Sequence, residues 1–155
     1  MAIFTTHNEM ETIALAKEIA EHLKPGMTIL LEGDLGAGKT TFAKGIGEGL
    51  KINRVIKSPS YTIVREYQEG TIPFYHIDLY RLEASEAEYL GLEEYFEGEG
   101  ITVVEWPSVA PDELPEERLE IGLRTSIENP NARTIKIEAV GPRYEDMLNK
   151  VGKKR

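Results

Sequence analysis

The stretch that decides the fold is Gly33-Asp34-Leu35-Gly36-Ala37-Gly38-Lys39-Thr40. It fits the phosphate-binding P-loop pattern G-x-x-x-x-G-K-[ST] at every fixed position. The apolar run at residues 27–32 precedes it and predicts a buried strand, and the residues after Thr40 can form a helix. A strand, a glycine-rich loop and a helix in this order make a cradle whose backbone N–H groups surround a phosphate.

The residue types in this loop indicate how a nucleotide would be held. Backbone N–H groups of Gly36-Ala37-Gly38 face the phosphates, and Lys39 is spaced to reach the β- and γ-phosphates. The hydroxyl of Thr40 is placed to ligate Mg²⁺, whereas Thr41 is expected on the α-phosphate side. The sequence therefore predicts a nucleotide and Mg²⁺ as cofactors.

The identity of the base follows from two missing motifs. A GTPase would carry Asn-Lys-x-Asp, but the Asn-Lys pair at residues 149–150 has Gly152 where Asp is required. The switch motif Asp-x-x-Gly is also missing, because Asp78 is followed by Leu79-Tyr80-Arg81. The predicted nucleotide is ATP.

Composition limits the partners of this chain. Its 155 residues predict one domain, 1–155, and 18 Lys and Arg against 27 Asp and Glu give a net charge of −9. A broad nucleic-acid surface needs clustered Lys and Arg, so this chain is not expected to grip nucleic acid directly. It has no cysteine, no signal-peptide pattern and no apolar stretch long enough for a bilayer, so we expect a cytoplasmic protein with no membrane contact.

The charge is unevenly distributed along the chain. Residues 82–117 contain no Lys or Arg, and their glutamate-rich first half is either a solvated face or a docking surface for a basic partner. The basic tail, residues 150–155, is either a frayed, disordered terminus or an edge that contacts tRNA within a larger assembly.

Hydrophobic periodicity and turn residues predict an α/β fold with a mostly parallel sheet. The run at 101–104 predicts a central parallel strand, while 61–67 with 72–79, and 119–127 with 133–140, predict antiparallel pairs. A strand is also expected at 2–5. Helices are expected at 9–23 with Asn8 as the cap, from the P-loop to about residue 50, at 83–96 with a break at Gly91, and at 142–151. Prolines 107, 111 and 115 predict an extended loop.

Two carboxylates are candidates for the chemistry beside the P-loop. A nucleotide hydrolase needs an acidic residue at the end of a neighbouring strand to hold Mg²⁺. Glu105 follows the buried run at 101–104 and is predicted to take this role, because that strand should end next to the P-loop. Asp78, late in the strand at 72–79, is then predicted to position or deprotonate the attacking water.

Other residues near these strands each have two possible interpretations. His76 is either a packed core residue or a catalyst, and Arg81 either neutralises γ-phosphate charge or forms a salt bridge. Trp106 fits packing or a partner contact better than base stacking. A segment that senses the γ-phosphate would occupy the position of Ser58-Pro59-Ser60-Tyr61-Thr62, which as bare sequence also fits a plain turn.

The chain resembles the TsaE (YjeE) family, small bacterial ATPases of tRNA threonylcarbamoyladenosine synthesis. The resemblance rests on the P-loop, on the 58–62 segment, and on two more specific motifs, His76-Ile77-Asp78-Leu79-Tyr80-Arg81 and Val104-Glu105-Trp106-Pro107. It extends from about residue 9 to residue 140. There are two departures: Ser60 stands where the family usually has Thr, and Ser108 stands where it commonly has an acidic or amide residue.

The resemblance implies a three-layer α/β P-loop NTPase-like fold with an antiparallel hairpin extension. It implies that Thr40 and Glu105 hold Mg²⁺, that Asp78 is needed for hydrolysis, and that residues 58–62 are a switch. It also implies that adenine lies near Glu9 and the Asn131-Ala132-Arg133 turn. Hydrolysis by the isolated protein should be weak. The expected partners are TsaD and TsaB, with tRNA reached through that complex. We expect a partner to cover the 58–62 loop and the strand end at 78–81, which border the phosphates, so that it orders the loop and excludes water. The expected switch or partner residues outside the loop are His76, Tyr80, Arg81 and Trp106.

Two other functions share the P-loop. A small-molecule kinase usually needs a lid with arginines, which residues 82–117 do not supply. A nucleotide-gated binding module would show negligible turnover both with and without partner proteins.

Overall fold

The computed structural model describes residues 1–34, 36–53, 56 and 63–152 of the chain. The strands are β1 (Ala2–Thr6), β2 (Thr28–Glu32), β3 (Val64–Tyr67), β4 (Phe74–Asp78), β5 (Ile101–Glu105), β6 (Arg118–Thr125) and β7 (Arg133–Val140). The α-helices in this part of the chain are α1 (Glu9–Glu21), α2 (Lys39–Gly49), α3 (Ala84–Ala87), α4 (Leu92–Phe96) and α5 (Pro142–Leu148).

All of these strands belong to one sheet in the order β1-β7-β6-β2-β5-β4-β3. The middle strands β6, β2, β5 and β4 are parallel to one another. At the two ends of the sheet, β3 pairs antiparallel with β4, β7 with β6, and β1 with β7. The predicted central position of β5 and both predicted antiparallel pairs are confirmed. The carboxyl ends of β2, β4 and β5 consequently meet at one edge, where the P-loop begins.

Alternate residues of the central strands feed two separate cores. Ile29 and Leu31 of β2 belong to a large cluster with α1, α2 and α5, while Leu30 between them joins a smaller cluster with α3 and α4. Helices therefore cover both faces of the sheet, because strand side chains point alternately to opposite faces. The three-layer α/β arrangement is confirmed.

Helices α1 and α2 pack through small residues. A Cβ atom placed on Gly45 of α2 would lie 2.5 Å from the Cβ of Ala16, and one on Gly49 would lie 2.5 Å from the Cβ of Ala20. Both distances are far below van der Waals contact, so these two glycines, which are poor helix formers, are present because the helices touch there. We call the contact of Gly45 and Gly49 with α1 the glycine seam.

The remaining elements differ from prediction mainly at their ends. Asn8 caps α1 through a 2.9 Å bond from the Glu11 amide, and Gly91 separates α4 from a short 3-10 turn at Glu88–Leu90, as predicted. The extended loop predicted for the prolines is wrong in part. Pro107–Val109 and Pro111–Glu113 are 3-10 turns, because the fixed φ of proline suits the first position of a helical turn. Within the described ranges, no helix combines the length and hydrophobicity needed to cross a bilayer.

Candidate functional site

The P-loop connects the end of β2 to the start of α2. Gly36 and Gly38 have φ angles of 82° and 100°, in the left-handed region that side chains disfavour. Gly38 is the N-cap of α2, and among the described residues no side chain caps this end and no acidic residue stands in its first turn. The backbone N–H groups and the positive end of the helix dipole are therefore available to an anion.

Lys39 crosses the mouth of this loop. Its side chain is buried, and Nζ donates a hydrogen bond to the carbonyl oxygen of Gly33 and lies 3.5 Å from the centroid of the Trp106 ring. Burial lowers the pKa of Lys39, and the nearby carboxylates oppose this shift, Glu105 most strongly and Glu32 next. The ammonium group is thus held between an aromatic face and acidic side chains.

Glu105 lies at the carboxyl end of β5, opposite the start of α2. Its Oε1 and Oε2 atoms are 3.5 Å and 3.4 Å from the Thr40 hydroxyl, and Oε2 is 2.5 Å from Nε2 of His76. The carboxylate is 3% exposed. A hydroxyl and a carboxylate facing each other beside a P-loop are the oxygen donors that Mg²⁺ prefers, so the residues present fit this ion.

Asp78 ends β4 and is the direct register partner of Glu105 on β5. Paired residues of neighbouring strands point to the same face, so both carboxylates face α2. Asp78 is also buried, and its Oδ1 atom accepts a hydrogen bond of 3.0 Å from the amide of Tyr80. The two carboxylates that the sequence assigned to metal and water are therefore neighbours at the mouth of the P-loop.

Aromatic residues form the outer wall of this mouth. Trp106 follows Glu105 with a φ of 60°, unusual for a bulky residue, and its ring packs against Tyr80 with centroids 4.9 Å apart. Tyr80 is 45% exposed and Arg81 beside it is also exposed. Strained backbone of this kind clusters at functional sites, which agrees with placing Trp106 over Lys39.

The opposite side of the P-loop is open to solvent. A cavity of about 90 Å³ there is lined by Glu9, Thr12, Gly38, Thr41, Asn131 and Arg133. The residues to which the family resemblance assigned adenine thus border the loop together. Ser58-Pro59-Ser60-Tyr61-Thr62, predicted as a switch, lies outside the described residues.

Arg133 has a contact that the sequence did not suggest. Its Nε donates to the carbonyl oxygen of Ala37 at 2.8 Å, and one terminal nitrogen lies 3.4 Å from the carbonyl oxygen of Gly36. The other terminal nitrogen donates to Pro130 and Ala132 at the turn before β7. The guanidinium therefore ties the β6–β7 turn to the P-loop, in addition to lining the open cavity.

Glu32 is a second residue that sequence reasoning missed. Its Oε1 atom accepts a 3.0 Å bond from the amide of Ser108, which joins the end of β2 to the turn after Trp106. The contact uses the backbone of Ser108, so it does not depend on the side chain in which this chain departs from the family. A charged residue ending a buried strand was the available signal.

Comparison with known proteins identifies the family. The family model "Threonylcarbamoyl adenosine biosynthesis protein TsaE" matches residues 6–135. A Bacillus subtilis protein named tRNA threonylcarbamoyladenosine biosynthesis protein TsaE is 48% identical over 148 residues, which cover 96% of this chain and 92% of that protein. The Aquifex aeolicus protein of the same name is 39% identical, over 84% of this chain and 90% of its own.

A solved structure agrees with these matches. The crystal structure of Bacillus subtilis YdiB superposes with a TM-score of 0.87 and 43% identity, covering 99% of this chain and 95% of that one. The sequence similarity and the fold therefore agree on the same group of relatives. This chain belongs to the TsaE family of threonylcarbamoyl adenosine biosynthesis proteins.

Proposed function

We propose that this chain is the ATP-binding and ATP-hydrolysing component of the machinery that makes N6-threonylcarbamoyladenosine in tRNA. The observation that carries the proposal is the convergence of Lys39, Thr40, Glu105 and Asp78 at the mouth of a P-loop. Membership of a tRNA-modification family supplies the pathway. The absence of both guanine motifs from the sequence supports ATP.

The P-loop would hold the phosphates through its backbone and one lysine. The N–H groups at the start of α2 point at the anion, and the left-handed glycines keep side chains out of the cradle. Lys39, which donates to the Gly33 carbonyl across the loop, would exchange that partner for phosphate oxygens. Burial strengthens this charge–charge contact, because less water screens it.

Thr40 and Glu105 would hold Mg²⁺. Their oxygens already face each other at 3.4 and 3.5 Å, and carboxylate and hydroxyl oxygens suit this ion. When bound, Mg²⁺ neutralises charge on the phosphate oxygens. Glu105 supplies the negative charge that makes the site selective for a cation.

Asp78 would serve the attacking water. It lies one strand away from Glu105, a spacing of about 4.8 Å in a sheet, and it faces the same side. The amide of Tyr80 fixes one of its carboxylate oxygens. Asp78 is thereby oriented to accept a proton from water or to hold that water in line with the γ-phosphate.

We further propose that hydrolysis is slow in the isolated chain and faster on a complex of TsaD and TsaB. Tyr80 and Arg81 are exposed at the edge of the site, so a protein covering them would also exclude water from the phosphates. The net charge of −9 argues that tRNA is reached through these proteins instead of through a broad surface of this chain.

ATP hydrolysis by the full chain, alone and with TsaB and TsaD added, tests the proposal. We expect slow phosphate release alone and a higher rate with both proteins present. The same measurement on Lys39→Ala tests whether the P-loop lysine is required. Lys44→Ala, which removes a lysine from α2 outside the loop, is the matched control. Negligible turnover in both conditions would contradict hydrolysis and favour a nucleotide-gated binding module, and phosphate transferred to a small molecule would favour a kinase.

The tRNA arm is measured separately. Titration of the chain with tRNA at physiological salt should show little binding, whereas titration with TsaB–TsaD should show tight, ATP-dependent binding. Strong tRNA binding by the chain alone, with no rate change on adding the proteins, would contradict the proposed route.

A further inference from the structure

We propose that His76 is a positioning residue for Glu105. Its Nε2–H group holds one carboxylate oxygen so that the carboxylate stays turned toward Thr40 and Mg²⁺. This inference rests on the proposed function, because it assigns to His76 the task of orienting the metal-holding group of that site.

His76 contacts the Glu105 carboxylate from within the core of the protein. Phe74, His76 and Asp78 alternate along β4 on the face that carries α2, and His76 is fully buried there. Its Nε2 atom lies 2.5 Å from Oε2 of Glu105, and the Thr40 hydroxyl lies 3.4 Å from the same oxygen and 3.5 Å from Oε1. The imidazole also stacks on the ring of Phe74, with centroids 6.0 Å apart and planes at 20°, which fixes its orientation.

Among the described residues, only one of the two ring nitrogens of His76, Nε2, has a hydrogen-bond partner. Nδ1 is buried and has no hydrogen-bond partner among the described residues, so Glu105 is the polar contact that the ring makes there. An ionised carboxylate only accepts hydrogen bonds, so Nε2 carries the hydrogen. A buried nitrogen without a partner is unfavourable, and an apolar residue would fill this core position without that loss. The bond to Glu105 accounts for a histidine being there.

Glu105 needs such a restraint because the ammonium group of Lys39 also attracts its carboxylate. Among the carboxylates that act on Lys39, Glu105 has the largest effect on its pKa. Without His76, the carboxylate can turn toward this ammonium and away from Thr40. Groups that orient a metal ligand in this way typically change metal affinity by about 10- to 100-fold when they are removed.

Three variants, His76→Gln, His76→Leu and His76→Asn, test the proposal in the full chain. The Nε2 atom of glutamine can occupy the position of the histidine Nε2, whereas leucine fills similar space without a donor and asparagine is too short to reach Glu105. The measurement is binding of a fluorescent, non-hydrolysable ATP analogue as Mg²⁺ is titrated, and again in excess chelator. Thr102→Val removes a buried hydroxyl that donates to the carbonyl oxygen of Tyr95, on the face of β5 opposite to Glu105, and is the matched control for lost stability.

We expect His76→Leu and His76→Asn to raise the Mg²⁺ concentration for half-maximal binding about tenfold or more. Analogue affinity in chelator should stay within about twofold of the parent, and His76→Gln should stay close to it, because its donor is retained. Thr102→Val should leave the Mg²⁺ requirement unchanged. If His76→Leu does not fold, the comparison of Gln with Asn decides.

Equal Mg²⁺ requirements for the Gln and Asn variants, or an unchanged requirement in a folded Leu variant, would overturn the positioning role. Failure of the proposed function looks different, because it appears in the unaltered protein as analogue binding that does not respond to Mg²⁺. That result would remove both proposals together.

Discussion

The two sides of the P-loop are built in different ways. On the carboxylate side, which we define as Lys39, Thr40, His76, Asp78 and Glu105, the ionisable groups are at most 5% exposed, and Glu105 contacts both Thr40 and His76. On the open side, defined as Glu9, Asn131 and Arg133, the side chains are exposed or half-buried, and Arg133 bonds to backbone carbonyls of the loop.

The difference predicts which substitutions will most weaken ATP binding and hydrolysis. A buried charge that loses its partner cannot be rescued by water, so single substitutions on the carboxylate side should have large effects. On the open side water replaces a lost contact, so the same kind of substitution should cost less. The predictions below test this difference, beginning with the largest effect.

Lys39→Ala should abolish measurable ATP hydrolysis and sharply weaken nucleotide binding. Loss of a preorganised phosphate contact costs about a hundredfold or more in rate. Steady-state phosphate release and analogue titration measure the two effects, with Lys44→Ala as the control. Near-normal turnover in Lys39→Ala would contradict the assignment of the P-loop as the active site.

Substitutions of the two buried carboxylates should affect different quantities, the Mg²⁺ requirement for Glu105 and the turnover rate for Asp78. Glu105→Gln should raise the Mg²⁺ concentration needed for activity, because it removes the charged group that we propose holds the ion. Asp78→Asn should leave Mg²⁺-ATP affinity nearly intact and lower turnover by about a hundredfold, the usual loss for a missing general base. Asp112→Asn, an exposed carboxylate in a 3-10 turn, is the control. Reversed behaviour would exchange the two roles.

Arg133→Met should weaken ATP binding by about fivefold to thirtyfold, which corresponds to one or two lost hydrogen bonds. The Mg²⁺ requirement should not change, since Arg133 contacts Ala37 and Gly36 instead of the carboxylate side. Isothermal titration with ATP at fixed Mg²⁺ measures this. Arg143→Met is the control, because Arg143 also donates to a backbone carbonyl, that of Pro25, but far from the loop. A shifted Mg²⁺ requirement in Arg133→Met would show that the two sides are not independent.

Glu9→Gln should have the smallest effect, a change in ATP affinity of about twofold, as expected for an exposed surface group. The same titration measures it, with Glu21→Gln at the far end of α1 as the control. A loss as large as that of Lys39→Ala would mean that the open side is as demanding as the carboxylate side.

The sequence was sufficient for most of the fold because its signals are local. The apolar run of β5 is buried at every position, and the glycine loop after β2 begins a helix, as the pattern indicated. Placing Glu105 near Thr40 needed only the rule that parallel strands end at one edge. The two antiparallel pairs followed from alternation and turns, whereas the order of the remaining strands, such as β6 beside β2 and β1 beside β7, did not.

Contacts between distant segments could not be read from the chain. His76 and Glu105 are 29 residues apart, and their bond depends on the register of β4 against β5. Arg133 and Ala37 are 96 residues apart, and their bond depends on how the β6–β7 turn folds back over the P-loop. Register and turn geometry are set by the packing of the whole sheet, so no local pattern encodes either contact.

The glycine seam affects how variants of this protein will be interpreted. In a library that replaces every position in turn, Gly45 and Gly49 should be depleted much as Lys39 is. Neither lines the cavity beside the P-loop, but any side chain there meets Ala16 or Ala20 and pushes α2 away from α1. Since α2 begins at Lys39, the displacement is carried to the phosphate cradle. The results of such a library would make Gly45 and Gly49 look like active-site residues, although their depletion reflects only the distance between two helices. Ala16→Gly should partly suppress the defect of Gly45→Ala.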